Sequence, residues 1–101
     1  VIEAFVRAHE LPASIWGHDR VVNLPGITVS VAQMLEALAR VAGVQVANRV
    51  GWMPDERIRA IVKTWPARFR TPRALAMGFQ PDPDIDTVIR NYIADEQIKI
   101  A

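Results

Sequence analysis

Arg68 and Arg70 flank Phe69 just after Trp65, in the run Thr64-Trp65-Pro66-Ala67-Arg68-Phe69-Arg70. A guanidinium presents a planar fork of donors that matches a carboxylate or a phosphate, and an indole or phenyl face suits a carbon skeleton. The run can therefore seat a small organic anion, with Arg68 on its charge and Trp65 on its body. The same residues also read as plain structure, with Trp65 and Phe69 in a core and the arginines in water. For Arg70 the solvated reading is preferred; for Arg68 both stay open. Asn23, after the apolar pair Val21-Val22, either faces a ligand or satisfies backbone groups across a turn, and asparagine at turns favours the second.

Other chemically capable residues are poorly arranged. Asp82, Asp84 and Asp86 alternate like the start of a calcium loop, but Thr87 and Ile93 stand where the loop needs its glycine and its bidentate glutamate. Acids at a helix N-terminus explain them more simply. His9 and His18 are the only imidazoles and there is no cysteine, so no metal site is expected. His18 beside Asp19 has no nucleophile close in sequence, so no catalytic residue is assigned.

Elements must position these groups. Ile2, Phe5, Val6 and His9 share one face of a helix over residues 1–10, ended by Leu11-Pro12. Residues 12–19 form a connector. Val21, Val22 and Leu24 read as the end of a short buried strand, broken by Pro25 and by Gly26, which accepts positive φ. Ser30 and Gln33 predict a capping box, Val31, Met34, Leu35, Leu38 and Val41 a helix stripe, and Gly43 its C-terminal stop. Val50, Trp52 and Met53 suggest a second strand. Asp55 caps a helix with Ile58, Ile61, Val62 and Trp65 along one stripe, stopped by Pro66. Residues 69–71 read as a brief extended piece, and Pro72 starts a short helix that ends at Gly78. A last helix from Asp84 places Ile85, Val88, Ile89, Tyr92 and Ile93 on one face, with Tyr92 in the core. The expected fold class is mixed α/β, with four main helices and two or three short strands.

Asn23-x-Pro25-Gly26 before a Ser30-capped helix, then Arg73-Ala74, Met77-Gly78-Phe79 and Pro81 before the last helix, resemble the C-terminal region of the extended short-chain dehydrogenases, the NAD-dependent epimerase/dehydratase family. The run 64–69 is most similar to the branch of that family that acts on D-erythronate. The likeness covers residues 1–96. It implies that residues 1–101 are a single C-terminal, substrate-binding portion of a Rossmann-type enzyme whose nucleotide-binding half lies elsewhere. It further implies oxidation of a small sugar acid, with a nucleotide-sugar epimerase or dehydratase as the alternative. Arg68, Trp65 and Asn23 would then be substrate-binding, with Arg68 on the anionic end. NAD is implied for the parent enzyme and no cofactor for this chain. The glycines at 17, 26, 43, 51 and 78 cannot form Gly-x-x-Gly-x-x-Gly, and Tyr92, the one tyrosine, has Glu96 where a Tyr-x-x-x-Lys pair needs lysine. The family's usual acid ahead of the basic-Ala pair is replaced by Phe69-Arg70-Thr71, and its usual leucine by Met77.

The chain has 101 residues, enough for one domain with a modest core. Half are apolar and 23% charged, which excludes disorder by composition. A net charge of +1 is too small to indicate nucleic acid or an anionic membrane surface as partner. No run is long and apolar enough for a membrane span, no signal-peptide pattern opens the chain, and cysteine-free composition suits a cytoplasmic protein. Val1 in place of an initiator suggests an excerpt, for which some apolar surface should stay exposed where the nucleotide-binding half docks. A homodimer of the parent is left open. A free-standing, non-catalytic α/β interaction module is the reading from a different class.

Overall fold

The computed structural model describes residues 1–100, and among these the regular structure is helical throughout. Seven helices follow in order: α1 (Ile2–Glu10), α2 (Ala13–Trp16), α3 (Val31–Ala42), α4 (Val44–Ala47), α5 (Glu56–Val62), α6 (Pro72–Ala76) and α7 (Ile85–Asp95). No strand forms among the described residues, so the expected mixed α/β, Rossmann-type class is corrected to an all-helical one. The reason lies in where the backbone groups go. In the supposed first strand, the Val21 amide donates to Asp19 Oδ1 at 2.9 Å and the Val21 carbonyl accepts from Arg73 at 3.1 Å. Side chains thus satisfy what a ladder would have, and Val21 itself is 75% exposed. Residues 50–53 and 69–71 are likewise irregular, with Trp52, Met53 and Phe69 exposed. β-branched and aromatic residues favour a strand only when a pleated partner is there to pack them.

The tertiary contacts gather into two compact units. The first comprises Val1–Gly26 and Phe69–Pro81. Its core is Ala74, Met77 and Phe79, with Ala4, Ala8, Leu11, Trp16 and Val22 packed on it. Trp16 meets Phe79 edge to face, ring centroids 6.4 Å apart. α6 starts with Pro72 at its first turn and ends in a Schellman motif. The Phe79 amide donates to the Ala74 carbonyl and the Gly78 amide to that of Leu75, both at 3.0 Å, with Gly78 at φ 84°. This turn drives Phe79 back onto Ala74. α1 is reversed relative to its pattern. Its small residues Ala4 and Ala8 face the core, whereas Ile2 (80%) and Phe5 (72%) are exposed. Small side chains let the helix approach the Phe79 ring closely, which the bulky stripe would prevent.

The second unit comprises Ile27–Arg68 and Asp82–Ala101, of which residues up to 100 are described. α3 packs against α4 and α7, burying Ala37 and Ala42. Its start is the expected capping box: the Gln33 amide donates to Ser30 Oγ at 3.2 Å and the Ser30 amide to Gln33 Oε1 at 2.8 Å. Gly43, at φ 96°, ends α3 and opens α4. Asp55 caps α5 and Asp84 caps α7. A forked ion pair joins α3 to α7, with Arg40 Nε and Nη2 on the two Asp86 oxygens at 3.1 and 2.7 Å. Tyr92, expected in the core, is exposed. Gly26, expected at positive φ, is absent from the positive-φ glycines, which are Gly17, Gly43 and Gly78. Among the described residues α5 makes no helix–helix contact, and its whole stripe of Ile58, Ile61, Val62 and Trp65 is exposed.

Candidate functional site

The run around Arg68 begins where α5 ends. The Thr64 hydroxyl donates to the Ile61 carbonyl at 2.8 Å and the Trp65 amide to that of Val62 at 2.9 Å, so the chain turns before Pro66 prevents further helix. Thr28 Oγ1 then donates to the Ala67 carbonyl at 3.0 Å, across 39 residues. This bond holds the backbone immediately before Arg68 in place. Arg68 is exposed and, among the described residues, makes no ion pair. Trp65 is 64% exposed and Phe69 67%, which removes the alternative that both are core. The run thus carries a guanidinium without an ion pair among the described residues, an exposed indole three residues before it, and a backbone pinned between them. It can receive a carboxylate on the fork and a short carbon chain on the ring.

Asn23 lies in the first unit, exposed and, among the described residues, without a side-chain hydrogen bond, so the turn-bridging role preferred for it is not seen. Its neighbourhood is fixed by a residue that sequence reasoning treated only as part of a motif. Arg73 Nη1 donates to Asp19 Oδ2 at 2.9 Å and to the Val21 carbonyl at 3.1 Å. Its Nη2 donates to the carbonyls of Trp16 at 2.9 Å and Asp19 at 2.7 Å. One guanidinium thus gathers the loop 16–21 that leads to Asn23. The clue lay in the Arg73-Ala74 pair: a small alanine buried on the core turns its neighbour toward the loop.

The acids near residue 84 have structural partners. Asp84 accepts from the Thr87 amide at 2.7 Å, and this bond holds its carboxyl below the usual carboxylate range. Hydrogen bonding by Arg40 does the same for Asp86, and by Arg57 and the α5 amides for Asp55. In each case the unfolded chain binds protons more readily than the native one below ordinary carboxylate values. The stability these groups provide is therefore present above their unfolded pKa of about 4 and lost as pH falls through it toward the lowered native values. The thermal midpoint should change little from pH 7 to about 5 and drop as pH falls below about 4. Asp84→Asn combined with Asp86→Asn should flatten that drop in a pH series followed by circular dichroism. An unchanged slope would remove these carboxylates as its source.

Three helix N-termini are already occupied by side chains. The N-termini of α3, α5 and α7 already carry the side-chain oxygens of Ser30, Asp55 and Asp84, and two of those are carboxylates that would repel a pyrophosphate. Among the described residues no group of three or more His, Cys, Asp or Glu could hold a metal ion, and no helix is long and apolar enough to cross a membrane.

Comparison with known proteins agrees in one direction. No family model and no solved structure matches the chain. A D-erythronate dehydrogenase of Cupriavidus necator is 51% identical over 94 residues, which is 93% of this chain and 29% of that protein. A D-erythronate dehydrogenase of Haemophilus influenzae is 37% identical over 93 residues, 92% of this chain and 30% of that protein. The chain spans less than a third of the length of these curated relatives. Over nearly its whole length, then, its sequence is dehydrogenase-related.

Proposed function

We propose that this chain is the C-terminal, substrate-binding portion of an NAD-dependent oxidoreductase of the extended short-chain dehydrogenase family, acting on a small sugar acid of the D-erythronate type. The observation that carries this reading is the 51% identity to a D-erythronate dehydrogenase over 93% of the chain. Arg68, without an ion pair among the described residues, and the exposed Trp65 supply the chemistry such a substrate needs: a fork for its carboxylate and a ring face for its carbon chain. The cofactor and the acid–base pair would belong to the nucleotide-binding portion, since this chain has neither a Gly-x-x-Gly-x-x-Gly run nor a Tyr-x-x-x-Lys pair. The exposed stripe of α5, and separately that of α1, are the surfaces on which that portion would settle. The same exposed stripes also favour a second reading, a non-catalytic interaction module.

Steady-state kinetics of the full-length enzyme against a panel of sugar acids test the first reading. Arg68→Ala should raise KM with a smaller change in kcat, because a contact made in both ground and transition states is lost. Arg68→Lys should recover part of the loss, keeping the charge without the fork. Arg70→Ala should leave both constants near wild type. An unaltered KM in Arg68→Ala would take Arg68 out of the site, and absence of turnover of any sugar acid by the wild type would favour the interaction module.

A further inference from the structure

A groove of about 590 Å³ lies wholly within the second unit, between α3, α4, α7 and the segment that follows α7. Its floor and walls are aliphatic, from Leu38, Val46, Ile89, Ile93 and Ile98, with Tyr92 beside them. That size falls within the roughly 300–1,000 Å³ of small-molecule sites, and an apolar hollow with a few polar groups is their usual composition. Two local features build the walls. Gly43 turns the chain from α3 into α4, which puts Val46 on one side. After α7 the chain closes a second Schellman turn, with Gln97 at φ 51° and the Ile98 amide on the Ile93 carbonyl at 2.9 Å. A non-glycine residue adopts that conformation at some expense in strain, so the direction of residues 98–100 is imposed and not accidental.

The charged groups at this groove are all of one sign. Among the described residues Arg49 and Lys99 line it, no acidic side chain does, and neither cation makes an ion pair. Arg40 and Arg73, by contrast, each have a carboxylate, Asp86 and Asp19 respectively. An aliphatic trough with two unneutralised cations is complementary to an alkyl chain that ends in a carboxylate. We propose that this groove binds one small amphipathic anion, an alkyl carboxylate, with its chain along α7 and its head at Arg49 and Lys99. The site is independent of the sugar-acid reading and shares none of its residues.

Calorimetric titration of the chain with hexanoate, octanoate and decanoate tests this, with decanol and decylammonium as uncharged and cationic counterparts. Decanoate should saturate at one equivalent, and affinity should rise roughly four- to fifteenfold for each two added carbons, as expected for partly to fully buried methylenes. Amide shifts on titration should centre on Ala42, Val46 and Ile93. Arg49→Gln with Lys99→Gln, both exposed positions with no fold-bearing contact, should weaken decanoate at least fivefold and leave decanol within twofold. Failure to saturate, equal binding of decylammonium, or decanoate affinity unmoved by the double variant would overturn the proposal. So would sedimentation showing that the groove is covered by a second copy of the chain.

Discussion

Gly78→Val should destabilise the chain by about 3 kcal/mol, near the upper end for a strained backbone conformation, whereas Gly26→Ala should leave stability almost unaltered. Gly78 sits at φ 84°, a region that β-branched residues scarcely enter, and a Cβ there would meet the Arg7 guanidinium at 2.6 Å. The clash itself is the smaller part, because the far end of an arginine side chain can swing away. The backbone cannot, since Gly78 is the one residue of the Schellman turn that must be left-handed for Phe79 to return onto Ala74. Phe79 is 3% exposed and closes the core of its unit, so strain at Gly78 is transmitted to the packing of Trp16 as well. Gly26 has no positive φ and nothing within 4 Å of an added Cβ. Equal urea midpoints for the two variants would show that the turn does not control the core.

The second large effect is expected at Arg73. Arg73→Met keeps the aliphatic stem but removes all four hydrogen bonds to residues 16–21, leaving the Trp16 and Asp19 carbonyls to find water. The site is partly open, so the loss should be about 1.5–3 kcal/mol in total, not that much per bond. Lysine should restore less than half, because one ammonium cannot span acceptors that a fork reaches together. Limited trypsin digestion offers a local readout, since the bond after Arg20 lies inside the loop that Arg73 gathers. Cleavage there should accelerate in Arg73→Met well before global unfolding. An unaltered rate would mean that the loop holds its shape without the guanidinium.

What could be read from the residues alone was local. Ser30 with Gln33, Asp55, Asp84, Pro72, Gly43 and Gly78 all perform the capping that their types and spacing announce, because a cap is decided within four or five residues. The strands failed because a strand is a relation between distant segments. Val21-Val22 has the composition of one, yet Asp19 and Arg73 satisfy its backbone. The face of α1 was misjudged for a related reason: periodicity shows that a helix has two faces, not which one meets this core, and here Ala4 and Ala8 prevail over Ile2 and Phe5. α2 and α4, four residues each, are too short to leave a periodic trace. Of the candidate site, the nature of the Arg68 and Trp65 side chains was legible, but the bond from Thr28 that pins them was not. The motif residues Arg73 and Gly78 emerge as builders of the first unit.

Each unit is assembled from two separated stretches of chain, so neither can be excised as one continuous piece. The ordering contacts are correspondingly remote: Arg73 and Asp19 are 54 residues apart and Arg40 and Asp86 are 46. On a ribosome adding about 5–20 residues per second, Asp19 therefore waits several seconds for its arginine. Through that interval the alanine side of α1 lacks its partner, because the Phe79 core that takes it has not been made. Helical segments ordinarily fold through near neighbours and quickly. Here two long, interleaved loops must close first, so the contacts that order each unit form late in its synthesis.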